Sequence, residues 1–151
     1  MLEGTDIVTI VKGRISVPTR HRDILQADNE DVVLTADPRY CLLLLPLRTW
    51  MPIRERILER AKVSNLARMK RTLMVGGQRR DKLDNAGRLL ITPDLLKYVF
   101  KKDQDGGKLK NKLHLVGVGD HLELWSEDGL DKVAEMANES ENAPDNEELL
   151  F

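Results

Sequence analysis

Lys12-Gly13-Arg14-Ile15-Ser16-Val17-Pro18 is echoed later in the chain by Gly87-Arg88-Leu89-Leu90-Ile91-Thr92. The two Gly-Arg pairs stand 74 positions apart, and each is followed by a charged helical stretch and a hydrophobic strand, Leu42 to Leu45 in the first case and Leu122 to Trp125 in the second. Those later strands are offset by 80, so the second copy carries the longer internal loop. A small β-rich unit stated twice predicts a pseudo-twofold architecture, because each unit is too short to bury a full core alone.

Working outward from the first copy, Val8 and Ile10 and then Ile15 and Val17 read as two short strands joined by a tight Lys12-Gly13-Arg14 turn, a hairpin in which Gly13 supplies positive φ. Pro18, with no amide to donate, ends the second strand, and Thr19 to Leu25 offers a short helix. Val32 to Thr35 and Leu42 to Leu45 form a further strand pair around the turn residues Asp37-Pro38-Arg39. Trp50-Met51-Pro52 closes this unit. From Ile53 to Met74, apolar Ile53, Ile57, Ala61, Leu66, Met69 and Leu73 at helical spacing predict a basic connecting helix pair, broken near Ser64-Asn65, which caps the second helix.

Gly76-Gly77 punctuates its end. The second copy then brings Lys82-Leu83, Arg88 to Ile91, a helix from Pro93 to Phe100 with proline in its first turn, and strands near Leu113 to Val116 and Leu122 to Trp125. Asp103 to Asn111, with Gly106-Gly107 and several lysines, is the loop that lengthens this copy. Beyond it, a helix from Asp128 to Ala137 gives way to Asn138 to Pro144, whose composition reads as disordered, and to an apolar tip, Leu149-Leu150-Phe151. The expected division is 4–50 for the first repeat, 51–76 for the connector, 77–128 for the second repeat and 129–151 for an acidic, partly disordered tail.

Bulk properties narrow the function. The 151 residues fit one domain or two intimately joined halves, and the single Cys41 cannot form an internal disulfide, which suits a reducing compartment. No apolar run reaches the roughly 20 residues that cross a bilayer, and the acidic start is unlike a signal peptide, so the expectation is a cytoplasmic protein with no membrane association. The net charge of −1 conceals an asymmetry: from Ser126 onward nine acids face one base, Lys132, leaving +7 on the preceding residues. A basic body with an acidic tail suits a protein that meets a polyanion, although basic helix residues also serve as a solvated face.

Catalytic and cofactor chemistry find no support. His21, His114 and His121 lack the spacing of a metal site, Cys41 opens a hydrophobic strand as a small core residue, and neither Gly-Gly pair has the flanks of a phosphate-binding loop. Asp84 and Asp94 read as turn and helix-start residues. No cofactor, metal or small-molecule substrate is expected. What remains is the glycine-bent hairpin, which presents Arg14 with Lys12 beside it and Arg20 and Arg22 on the helix that follows. Such a cluster suits phosphate or guanine contacts, and the scarcity of aromatic residues favours duplex over single-stranded DNA. In the alternative, Arg14 and Arg88 are structural and pair with a carboxylate such as Asp84. Arg88 fits that role better, because Ala86 stands where Lys12 stands in the first copy.

The stretch Lys12 to Pro18 together with Arg22 resembles the SpoVT/AbrB swapped-hairpin DNA-binding element. Two copies joined by a basic helical connector, with Cys41-Leu42-Leu43-Leu44-Leu45-Pro46 and Trp50 in the first and Leu122-Glu123-Leu124-Trp125 in the second, resemble the MraZ family from about Gly4 to about Leu130. The resemblance implies an α+β, β-rich pseudo-twofold barrel of two AbrB-like repeats with a helical connector. It further implies a nucleoid-associated bacterial transcriptional regulator, a repressor of the division and cell-wall gene cluster and of its own promoter, binding upstream direct repeats of double-stranded DNA as a homo-oligomeric ring. The DNA-binding residues carried over are Arg14, Lys12, Gly13, Arg22, Arg20 and Arg88. The second copy keeps the family's Asp-x-x-Gly-Arg as Asp84 to Arg88, whereas Ile10 replaces that acid in the first, and Thr92 replaces the proline in the second. The competing reading is a ring-forming structural or protein-interaction protein that turns its basic helices toward an acidic partner.

Overall fold

Eight strands and five α-helices are described over residues 1–104 and 111–141 of the computed structural model, an α+β fold built on antiparallel sheets. In chain order these are β1 (Leu2–Thr9), β2 (Arg14–Ser16), α1 (Thr19–Leu25), β3 (Val32–Asp37), β4 (Cys41–Pro46), α2 (Leu47–Arg60) and α3 (Asn65–Lys70). There follow β5 (Arg79–Asp81), β6 (Arg88–Leu90), α4 (Pro93–Val99), β7 (Lys112–Gly119), β8 (Leu122–Trp125) and α5 (Glu127–Glu141). Most of the expected 103–111 loop, the stretch 142–144 and the tip Leu149-Leu150-Phe151 lie outside the described residues.

Six strands form one antiparallel sheet in the order β1-β7-β8-β4-β3-β5, and β2 and β6 form a separate two-stranded ribbon. The expected ladder between the first two strands is not what forms. Only an isolated bridge, Val11 to Arg14, joins them; β1 instead pairs along its whole length with β7, and β2 pairs with β6. Beyond that bridge the two segments diverge, β1 into the large sheet and β2 into the separate ribbon. Within the described residues no pairing closes the large sheet into the expected barrel: β1 and β5 are its outer strands.

Apolar side chains fill both faces of the central strands, which explains the uninterrupted run Cys41 to Leu45. Leu42 and Leu44 face a core shared with Ile15 and Leu89 of the ribbon, Leu25 of α1 and Leu95 of α4. Leu43 and Leu45 face the opposite way, toward Trp50 and Ile57 of α2 and Trp125. The ribbon with α1 and α4 thus covers one side of the sheet, and α2 and α5 cover the other.

Several expected boundaries shift: the second copy opens with a strand at Arg79–Asp81 rather than at Lys82-Leu83, and two helices are longer than expected. Helix α2 begins at Leu47 rather than Ile53 and runs through Pro52. A proline in the second turn removes one hydrogen bond, and fully buried Trp50, whose Nε1 donates to Gln78 Oε1 at 3.0 Å, outweighs that loss. Helix α5 continues to Glu141, so residues 138–141 are helical rather than disordered. The break near Ser64 is as expected, with its side chain accepting from Ala67 N at 3.2 Å before α3. A π-type turn over Arg71–Val75 extends α3, closed by the Gly76 amide on the Arg71 carbonyl at 3.0 Å.

An ionic cluster of two buried carboxylates, Asp37 and Glu123, joined by the more exposed Arg39 pins the β3–β4 turn to β8. Arg39 Nη2 donates to Glu123 Oε2 at 2.8 Å and Arg39 Nε to Asp37 Oδ1 at 2.9 Å, while Trp125 Nε1 donates to Glu123 Oε1 at 2.9 Å. Burial alone raises the Glu123 carboxyl, but His121, Trp125 and Arg39 together outweigh it and hold it down at about 2. A charge removed from water is tolerable when its partners are this complete.

Candidate nucleic-acid interface

Alternation decides which side chains the β2–β6 ribbon shows to solvent. Ile15, Val17, Leu89 and Ile91 are buried in the core, so Arg14, Ser16, Arg88 and Leu90 all point outward. The register sets Arg14 opposite Leu90, Ile15 opposite Leu89 and Ser16 opposite Arg88. Arg14 and Arg88 are therefore diagonal neighbours on one face, on the order of 7 Å apart at Cβ. Glycine carbonyls close both ends of the ribbon: Ile91 N donates to Gly13 O at 2.8 Å, and Val17 N to Gly87 O at 2.9 Å.

The two loops reach this ribbon by different chemistry. In the first, Val11 and Arg14 exchange both backbone hydrogen bonds at 2.8 and 3.0 Å around Lys12 (φ 52°) and Gly13 (φ 76°), the positive-φ pair of a type I′ hairpin turn. Lys12 is thereby held at an exposed tip. In the second, Asp84 N donates to Arg88 O and Gly87 N to Asp84 O, both at 2.9 Å, a loop one residue longer that ends on Gly87 at φ 76°. The Asp84 carboxylate fastens it, accepting from Ala86 N, Arg88 N and Arg88 Nε at 2.9 Å each. The Arg88 amide, followed by its side chain and the Ala86 amide, draws the Asp84 carboxyl below its ordinary range against the opposing effect of burial. Ile10 cannot act this way, and the shorter first turn has no need of such an acid.

The six residues singled out in the sequence separate by environment. Arg14 is exposed with no ion-pair partner among the described residues, and Lys12 stands two positions away. Arg88 shares the outward face but is ion-paired with Asp84 at 2.9 Å. Arg20, at the start of α1, grips Asp6 of β1 through both carboxylate oxygens. Arg22 is half-buried: its Nε donates to Val17 O at 2.7 Å, and its guanidinium lies where a side chain on Gly87 would be, 2.1 Å from an ideal Cβ. It fastens the ribbon end.

Three residues of this region were not among the candidate site residues read from the sequence. Ser16 and Leu90 share the ribbon face, and period-two alternation around Ile15 and Leu89 was the signal that could have found them. Asp6, 14 residues from Arg20, had no local signal at all. Beside it His21 is buried with neither ring nitrogen hydrogen-bonded, its Nε2 3.8 Å from Asp6 Oδ2. Burial, and next Arg20, lower its pKa and keep it neutral.

An antiparallel ribbon of this kind fits the major groove of B-DNA, where arginine reads guanine and fixes phosphate. The family model for MraZ proteins, antitoxin-like in its description, matches residues 74–151. A Dechloromonas aromatica protein named Transcriptional regulator MraZ is 39% identical over 142 residues, covering 93% of this chain and 90% of that protein. The chain belongs to the MraZ family. Proteins of the same name from Azoarcus sp. and Methylobacillus flagellatus are 35% and 40% identical over 136 and 125 residues, covering 89% and 82% of this chain and 87% and 78% of theirs. MraZ proteins are transcriptional regulators by name, not enzymes. Among the described residues, no helix is long and apolar enough to cross a membrane.

Proposed function

We propose that this MraZ-family chain is a sequence-specific DNA-binding transcriptional regulator that reads duplex DNA with the outward face of its β2–β6 ribbon. Its targets are upstream direct repeats of the bacterial division and cell-wall cluster and of its own promoter, which it represses as a homo-oligomer on the nucleoid. The observation that carries the reading is an exposed Arg14, without an ion-pair partner among the described residues, on the same ribbon face as Arg88. Lys12 adds a phosphate contact at the tip, Arg20 held by Asp6 flanks it on α1, and Gly13 shapes the turn. Arg22 and Arg88 act mainly by holding the ribbon in place.

A two-repeat, pseudo-twofold architecture is part of this proposal. Exchanging β1–β4 for β5–β8 turns the strand order β1-β7-β8-β4-β3-β5 into its own reverse, which supports it. The β2–β6 ladder centred on Ile15 and Leu89 and the β4–β8 ladder centred on Leu43 and Glu123 support it as well. One ribbon per chain, repeated around an oligomer, multiplies weak contacts into useful affinity.

The test is fluorescence anisotropy with the chain's own upstream region against scrambled duplex. Wild type should prefer its own region by at least about 10³-fold, with affinity falling steeply in salt. Arg14→Ala should remove the preference while leaving thermal unfolding unchanged. Preference retained in that variant would exclude the ribbon as the reading surface, and equal binding to both duplexes would favour a structural ring.

A further inference from the structure

Leu90 is a side chain of the ribbon face to which the arginines' role assigns nothing. It is 44% exposed, whereas Leu89 and Ile91 on either side of it are 1% and 0% exposed and anchor the strand in the core. A single exposed leucine is ordinary on a protein surface; its position is what matters here. The bonds from Ile91 N to Gly13 O and from Val17 N to Gly87 O put 13–91 and 17–87 at hydrogen-bonded positions of the ladder. Arg14–Leu90 and Ser16–Arg88 are therefore its non-hydrogen-bonded pairs, whose side chains stand closest, about 5 Å apart at Cβ. Leu90 also leans toward the first turn, its Cδ1 3.5 Å from the place a Cβ on Gly13 would take. The ladder centred on Ile15 and Leu89 exchanges Arg14 with Arg88 and Ser16 with Leu90, so each end of the ribbon has an arginine but the companions differ. At one end lie Leu90 and Arg14, which has no ion-pair partner among the described residues; at the other lie Ser16 and Arg88, paired with Asp84.

We infer that Leu90 reads the C5 methyl of a thymine in the base step beside the guanine that Arg14 engages, and so gives the ribbon a direction on the duplex. The inference rests on the proposed reading of DNA by this face. Among the base edges of the major groove, thymine alone offers an aliphatic group, its methyl; guanine offers the acceptor pair N7 and O6 that a guanidinium bridges, and cytosine a donor amine. Side chains about 5 Å apart at Cβ suit successive base pairs, which are stacked about 3.4 Å apart. An arginine and a leucine side by side therefore complement a guanine next to a thymine. Ser16, which takes the place of Leu90 at the other end, carries a hydroxyl that both donates and accepts, and it suits phosphate or any base edge. Turned end for end, the ribbon sets that hydroxyl against the methyl and loses the apolar contact. The orientation that places Arg14 and Leu90 over the guanine–thymine step is the one favoured.

Removing methyl groups from the DNA tests this while every base-pairing edge is kept. Thymines of the chain's own upstream region are replaced one at a time by deoxyuridine, which lacks only the C5 methyl, and the affinity of the full chain is measured by fluorescence anisotropy. For wild type, one thymine next to a guanine in each bound repeat should respond, its replacement weakening binding about fourfold, the worth of one buried methyl group. Leu90→Ala should bind the unmodified duplex more weakly and respond to the same replacement by less than about 1.5-fold, because the two changes remove one contact. Leu90→Met, which keeps an apolar side chain of similar reach, should restore the response. A wild type that prefers its own region to scrambled duplex yet tolerates deoxyuridine at every thymine would overturn the role of Leu90 and leave the ribbon reading intact. An equal loss in wild type and Leu90→Ala would do the same, since it would assign the effect to duplex shape. No preference for the chain's own region would remove the ribbon reading, and this inference with it.

Discussion

Gly13 and Gly87 share the same φ, 76°, yet replacing each with alanine should have unequal consequences. At Gly13 the added Cβ meets Leu90 Cδ1 at 3.5 Å and Ile91 O at 3.7 Å, ordinary contact distances. Gly13→Ala therefore costs only the left-handed backbone strain of a side-chain-bearing residue, about 1 kcal/mol. At Gly87 the added Cβ falls 2.1 Å from Arg22 Nε and 2.2 Å from its Cζ. The guanidinium must leave, and its 2.7 Å bond to Val17 O goes with it. A hydrogen bond from a charged donor contributes about 2 kcal/mol, so Gly87→Ala should cost about 3 kcal/mol. The difference of about 2 kcal/mol corresponds to roughly 4–8 °C in Tm for a chain of this size. Arg22→Ala alone should cost about 2 kcal/mol, and the Gly87→Ala/Arg22→Ala double variant about 3 rather than the additive 5, because both changes break the same bond. Urea unfolding at one fixed chain concentration measures all four. Equal destabilisation by Gly13→Ala and Gly87→Ala, or strict additivity in the double variant, would refute Arg22 as the fastener of the ribbon.

The Glu123 cluster predicts an acid limit to stability. With the folded carboxyl at about 2 against an ordinary 4.5, its charged form stabilises the fold fully above pH 4.5, and that contribution of about 3 kcal/mol is lost as the pH falls through about 2. Glu123→Gln should flatten the pH dependence of urea unfolding over this window, and an unchanged slope would contradict the assignment. His121 has the opposite sign: burial lowers its pKa, but Glu123 and Asp120 outweigh burial and raise it, so its contribution is complete below pH 6.5 and fades as the pH climbs past the folded value. His121→Gln should remove that alkaline decline in the same titration. Cys41 is fully buried, and burial pushes its thiol far up, so labelling by a disulfide reagent should proceed no faster than unfolding; stoichiometric labelling of the native chain within seconds would count against its place in the core.

Local chemistry was legible wherever neighbours in sequence are neighbours in space. The β3–β4 turn at Asp37 to Tyr40, the Ser64 cap and the Gly-Arg loops were all readable from residue types. Pro52 misled by suggesting a break, since the hydrogen bond that fixes Trp50 comes from Gln78, 28 residues on. Much of β1 was hidden because only Leu2 and Val8 are buried along it, with Gly4 at φ 88° interrupting the alternation. The exchange of partners between strands could not be read at all, since an apolar strand says which face it buries and not which strand it lies beside. For the candidate interface, Arg14 and Lys12 stood out by charge and turn chemistry, whereas Arg22 is explained by a bare Gly87 that only the folded chain brings to it.

The partnership of β1 with β7 also governs how this molecule can be made. Leu2 lies opposite Gly119, and Thr9 opposite Lys112, so the ladder of this edge strand cannot form until more than a hundred further residues have been synthesised. Closing so large a loop precedes any reward from the ladder, which places the chain among topologies that fold slowly. Throughout translation the nascent strand waits without the partner that pairs its backbone in the native fold.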